Sequence, residues 1–160
     1  MNNQEIITDF YHAFARGDYQ SMQQHYHDDI IFEDPAFGKL KGIEAKKMWQ
    51  MLIERSGGKI NIVFTDVQAD EHTGSAQWEA QYIFRQTGRK VVNSIRAQFE
   101  FKDGKIYRHT DHFNLWKWAR QAIGLNGWLL GFTGIFKSKL QQQTRKLLNQ
   151  YIANENNGRQ

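Results

Sequence analysis

A histidine and an aspartate stand two residues apart in His109-Thr110-Asp111, within a stretch where apolar and polar residues alternate. In a β-strand, positions i and i+2 face the same way, roughly 7 Å apart. The imidazole and the carboxyl therefore share a face, which Phe113 continues. Two polar groups on an otherwise apolar face need a reason. They can serve acid–base chemistry, or they can form a hydrogen-bonded cluster that anchors the segment after the strand. Asp34 is the second candidate. It precedes Pro35, the only proline in the chain, and the proline ring forces it into an extended conformation. Its carboxyl, at a strand end, is placed to cap the following loop. Aromatic surroundings push a carboxyl's pKa toward neutrality, whereas a neighbouring imidazolium lowers it. If His109 and Asp111 are both buried, their titrations couple.

Other chemistries are excluded or weak. The 160 residues contain no cysteine, which removes disulfides, zinc–thiolate sites and a cysteine nucleophile. No phosphate loop, nucleophile elbow or dinucleotide fingerprint occurs, and no cofactor is expected. His25 and His27, beside Asp28, do not share a face at a helix end, so no metal is expected. His112 falls on the face opposite His109, and Arg96 lies on an outward parity.

Lys plus Arg is 21 and Asp plus Glu is 17, a net charge of +4. The balance is uneven: up to Asp34 there are seven acids and one base, Arg16. The bases are scattered, which indicates a solvated surface rather than a nucleic-acid site. No apolar run approaches the ~18 residues of a membrane span. The N-terminus lacks a basic region followed by an apolar core. A cytoplasmic location is the expectation.

These groups need elements to hold them. Ile6, Ile7, Phe10, Tyr11 and Phe14 recur at helical spacing over residues 3–15. Tyr19, Met22, Gln23 and Tyr26 give a short second helix, followed by a turn at Asp28-Asp29 and a strand from Ile30. Gly38 and Gly42 mark a loop, and residues 43–55 read as a third helix. The period then changes to two, with alternation around Ile62, Trp78 and Phe99, a hairpin turn at Lys102-Asp103-Gly104, and a last strand over 105–114. Helices followed by long antiparallel strands indicate an α+β fold. It consists of one curved antiparallel sheet against three N-terminal helices, with a further C-terminal helix. One domain over residues 1–160 is expected, with a core at about 4–115 and a helical extension over 116–153. In that extension, the glycine-spaced apolar stretch 124–136 could cover a pocket mouth, join two copies or touch a membrane surface. The tail 154–160 is polar and is expected to fray.

The order of elements resembles the nuclear transport factor 2-like superfamily, which includes ketosteroid isomerases and SnoaL-like polyketide cyclases. The resemblance rests on Phe14-Ala15-Arg16-Gly17-Asp18, the run Asp28 to Pro35, Gly42-Ile43-Glu44-Ala45, and Phe101 to Ile106 leading into His109-Thr110-Asp111. It implies a cone of curved sheet enclosing an apolar pocket, often in a homodimer. By position, Asp34 matches the isomerase's general base. The isomerase's two oxyanion donors fall on Phe10 and near Ala97, neither of which can donate, so steroid isomerisation by that route is not expected. The SnoaL-like resemblance instead implies Asp111 as base and His109 as its partner or proton donor. The ligand it implies is a small apolar or aromatic carbonyl compound undergoing isomerisation or cyclisation. The pocket would be lined by Phe10, Tyr11 and Phe14 from the first helix and Trp49 from the third. Trp78, Tyr82, Ile95, Ala97, Phe99 and Phe113 would line it from the sheet. The alternative is a non-catalytic ligand-binding or dimeric interaction module.

Overall fold

A computed structural model describes residues 1–158. Helix α1 (Asn3–Ala15) starts at a capping box in which Asn2 and Glu5 satisfy each other's backbone N–H groups. Gly17, at a positive φ of 72°, turns the chain, and Asp18 caps α2 (Tyr19–His25). Strand β1 (Tyr26–Asp34) and the short β2 (Gly38–Lys41) precede α3 (Ile43–Ser56). The long strands β3 (Asn61–Ala69), β4 (Thr73–Phe84), β5 (Arg89–Lys102) and β6 (Lys105–His112) follow. Three helices end the chain: α4 (Leu115–Ile123), α5 (Leu125–Leu130) and α6 (Gly134–Asn157).

The six strands form one open, curved sheet in the order β2-β1-β6-β5-β4-β3. All pairings are antiparallel except β1–β6, which is parallel. The helices and curved sheet enclose the main core, where Phe10, Tyr11, Phe14, Phe32, Trp49, Trp78 and Phe99 are buried together. A smaller cluster of Val91, Trp118, Ala119 and Ala122 sits where α4 crosses the sheet, and Tyr82 and Phe113 pack against both clusters.

Three boundaries differ from the sequence reading. Asp28-Asp29 is not a turn, because β1 begins at Tyr26 and absorbs an irregularity before Ile31. The segment read as a loop at Gly38 is an edge strand, since residues 38–41 pair with residues 31–34. Helix α6 continues into the polar tail as far as Asn157, and the tail's last two residues lie outside the described residues.

Candidate functional site

Register brings the polar candidates together. On β6, His109 is opposite Phe99 and Asp111 is opposite Ala97. On the other side, β1 runs parallel to β6 with Phe32 beside His109 and Glu33 beside Thr110. Asp34 and Asp111 are each the next residue beyond that last pair, in step with the inward Phe32 and His109, and the Asp111 charge acts on Asp34. Thus Ala97, where the resemblance places an isomerase carboxyl, has a carboxyl as its cross-strand neighbour.

A continuous hydrogen-bond relay runs through the aromatic interior. Trp49 Nε1–H donates to Tyr26 Oη at 2.8 Å, and the Tyr26 hydroxyl meets His109 Nδ1 at 2.7 Å. His109 Nε2 meets Asp111 Oδ1 at 2.9 Å, and Trp78 Nε1–H donates to the same oxygen at 3.3 Å. Trp49 and Trp78 can only donate, and a neutral imidazole that donates from Nε2 to the Asp111 carboxylate accepts the Tyr26 hydroxyl at Nδ1. Both imidazole nitrogens are then satisfied. The ring is wholly buried, with the Phe99 centroid at 4.5 Å, Phe32 at 5.2 Å and Phe10 at 5.6 Å. Asp111 retains 3% exposure where His109 retains none. The relay is therefore closed at Tyr26 and His109, and its accessible surface lies at Asp111 and at Trp78, which is 9% exposed. Among the described residues, Asp111 Oδ2 accepts no hydrogen bond.

Asp34 occupies the outer end of the same site. Pro35 turns the chain, and Asp34 Oδ1 accepts the backbone N–H groups of Ala36 at 2.9 Å and Phe37 at 2.6 Å. Those bonds favour the charged form. Burial outweighs them, and with the added repulsion of Asp111 it pushes the Asp34 carboxyl up to about 7. The cap expected from sequence is present, on a carboxyl that also adjoins Asp111.

Two tyrosines complete the surroundings. Tyr11 is fully buried, its ring stacks on Phe64 at 5.3 Å, and its hydroxyl has no hydrogen-bond partner among the described residues. Burial and then the Asp111 charge push its pKa well up, so it remains a donor. The Tyr82 hydroxyl accepts Trp118 Nε1–H at 2.8 Å, and its pKa is raised by burial and by Asp34. Of the other expected lining residues, Phe10, Phe14, Trp49, Ile95 and Ala97 are buried in the main core, whereas Tyr82 and Phe113 are partly buried where the two clusters meet.

Helix α6 secures the turn that carries Asp34. Gln141 Nε2 donates to Pro35 O at 3.1 Å, Thr144 Oγ1 donates to Ala36 O at 2.9 Å, and Leu148 is buried in the core. A groove of about 650 Å³ lies elsewhere, lined by Gln98, Glu100, Arg108 and Thr110. His112 and Arg96 are exposed on outward parity, and no group of three His, Asp or Glu side chains among the described residues is arranged to hold a metal.

Sequence reasoning missed Tyr26 as a site residue, because it read Tyr26 as the end of a helix. Its even parity with Ile30, Phe32 and Asp34 was the available signal. It named Tyr11 as a lining residue and not as a donor, because it counted the donor position as Phe10.

Residues 7–109 match the model of the SnoaL-like domain. No curated protein matches the chain. Among solved structures, a protein provisionally assigned as a polyketide cyclase from Pseudomonas putida KT2440 is 23% identical, with a TM-score of 0.60 over 76% of this chain and 98% of that one. A second such assignment, from Xanthomonas campestris pv. campestris, is 21% identical, with a TM-score of 0.60 over 74% of this chain and 94% of that one. A protein with a ketosteroid isomerase-like fold from Catenulispora acidiphila DSM 44928, crystallised with trimethylamine, is 13% identical, with a TM-score of 0.60 over 74% and 92%. At these identities the likeness is one of fold.

Proposed function

This chain belongs to the SnoaL-like domain family, and we propose that it catalyses proton transfer on a small apolar or aromatic carbonyl compound through the carboxyl pair Asp34 and Asp111. The observation that carries this reading is a pair of carboxyl groups one residue beyond the last paired positions of adjacent strands, Asp111 buried and Asp34 partly buried at the edge of the aromatic interior. One is tethered by a relay three residues long, and burial pushes the other up to about 7. A group poised near the working pH is the efficient general base and acid.

In this scheme Asp34 takes a proton from the carbon beside the substrate carbonyl, and the C–H electron pair moves to the carbonyl oxygen. The Tyr11 hydroxyl is the unengaged donor available to the developing oxyanion. Asp34 then returns the proton to a second carbon in an isomerisation. In a cyclisation, the enolate carbon attacks another carbonyl of the same molecule and Asp34 protonates the new alkoxide. Burial holds the Asp34 carboxyl high, and Asp111 stays in place as a charge that adds to that rise. His109 is a positioning residue, because both its nitrogens are engaged and its ring is covered.

The second reading is a non-catalytic ligand-binding or interaction module, and the enclosure of His109 by aromatic rings favours it. Exchange of the α-protons of 1-tetralone and related aryl ketones in D2O, followed by proton NMR, separates the two. The catalytic reading expects exchange above the buffer rate that drops about 100-fold or more in Asp34→Asn. Exchange at the buffer rate throughout such a panel, or exchange unchanged in Asp34→Asn, supports the second reading.

A further inference from the structure

The segment after β6 inverts the usual rule of burial. The one buried residue of α5 is Gly127, and it is forced to be small, because a Cβ there would lie 2.0 Å from the Ala119 carbonyl oxygen. Gly131 is buried and makes a similar approach to α4. With glycines turned inward, the large side chains turn outward. Leu125, Trp128, Leu129, Leu130, Phe132 and Ile135 are all more than half exposed, Leu125 at 73% and Ile135 at 72%. Six bulky apolar groups within eleven consecutive positions are an exposed patch that needs a partner. No helix among the described residues is long and apolar enough to cross a membrane, so the patch is not part of a span.

Charge narrows the choice of partner. From His112 to Asn154 the chain holds no Asp or Glu, while it holds Lys117, Arg120, Lys137, Lys139, Arg145 and Lys146. Lys117, Lys137 and Lys139 are exposed on the two helices flanking α5, and Arg89 brings its guanidinium against Gly124, where α5 begins. Arg120 lies over the Trp116 ring at 4.4 Å, and Trp116 in turn contacts Trp128 at 6.1 Å. The patch is thus apolar at its centre, aromatic at one flank and basic at its edge. A two-fold contact between copies through this surface would set basic edge against basic edge.

We propose that α5 and the adjoining ends of α4 and α6 dock this protein on an anionic lipid surface. Leu125, Leu129, Phe132 and Ile135 enter the interfacial layer, Trp128 sits at headgroup level, and the lysines meet the lipid charge. Each base near such a surface favours binding about fivefold, and salt screens that gain. This inference is independent of the proton-transfer reading.

The test is co-sedimentation of the full chain with vesicles of phosphatidylcholine, alone or with 30% phosphatidylglycerol. Binding to the anionic vesicles at least tenfold above binding to the neutral ones, reduced by 0.5 M salt, is the expected result. The variant Leu125→Ser/Leu129→Ser/Phe132→Ser/Ile135→Ser should lose at least tenfold, and Lys137→Glu/Lys139→Glu should lose the preference for anionic lipid. All these side chains are exposed, so an unchanged melting temperature is the accompanying control. No vesicle binding, or equal binding to both compositions, overturns the proposal. So does a dimer in solution that the four-serine variant converts to monomer, because a second copy would then cover the patch.

Discussion

Around His109 polar groups are held inside a shell of rings, while around Trp128 apolar groups stand on the outside. The two regions depart from the usual partition of side chains in opposite directions, and the structure treats them differently. In the interior each donor of the relay has an acceptor: Trp49 reaches Tyr26, Tyr26 reaches His109, and His109 and Trp78 reach Asp111. A buried polar group without a partner costs about 1–3 kcal/mol, so such a network persists only when its members are satisfied together. At α5 nothing of the kind is required. An exposed leucine makes few contacts, and its removal costs the fold little. Interior substitutions should therefore act on stability, and exterior ones on association.

The largest effect is expected from Trp49→Ala. It opens a cavity among Phe10, Phe14 and Phe32 and removes the donor to Tyr26. A loss of about 4 kcal/mol in urea denaturation is expected. Tyr26→Phe keeps the ring and removes only the hydroxyl, leaving Trp49 Nε1–H and His109 Nδ1 without partners. It should cost about 2 kcal/mol, and a loss below about 0.5 kcal/mol would mean that the relay is ornamental to stability.

Asp34→Asn should act in the opposite direction, and only at higher pH. The folded-state pKa of about 7 is above the ordinary carboxylate value of 3.8. Asp34 therefore favours folding at pH values where it stays protonated in both states, below about 4, and that contribution is lost as the pH rises through 7. Asparagine keeps an oxygen for the Ala36 and Phe37 N–H groups and carries no charge. The variant should match the wild type near pH 4 and exceed it by about 2 kcal/mol at pH 8.5, after allowance for a half-buried side chain. Thermal melts across that range provide the measurement. The smallest effect is expected from Leu129→Ser, within about 0.5 kcal/mol of the wild type.

How much of this could be read from the residues follows the range of the interactions. Helix α1 was legible because Ile6, Ile7, Phe10, Tyr11 and Phe14 carry a 3.6-residue period and Gly17 stops it. The shared face of His109 and Asp111 was legible because a strand has a period of two, and both are buried on one side of β6. The approach of Asp34 to Asp111 depends on the one parallel pairing, between segments 77 positions apart, and no local pattern encodes that register. The irregularity before Ile31 hid Tyr26 for a related reason, since the apparent turn at Asp28-Asp29 is a local distortion of a strand whose partner lies far along the chain. The apolar character of residues 124–136 was plain, but its outward orientation depends on the close approach of Gly127 to Ala119.

The paired carboxyls can be examined without any substrate. Carbon-13 labelling of the aspartate carboxyl groups gives a resonance for Asp34 that can be followed with pH, with Asp34→Asn supplying the assignment. The expected titration lies near pH 7 and moves lower in Asp111→Asn, because removing the neighbouring charge removes one of the influences that raise it. An Asp34 that titrates below pH 5, or that ignores the loss of the Asp111 charge, would show that the two groups do not form a coupled site.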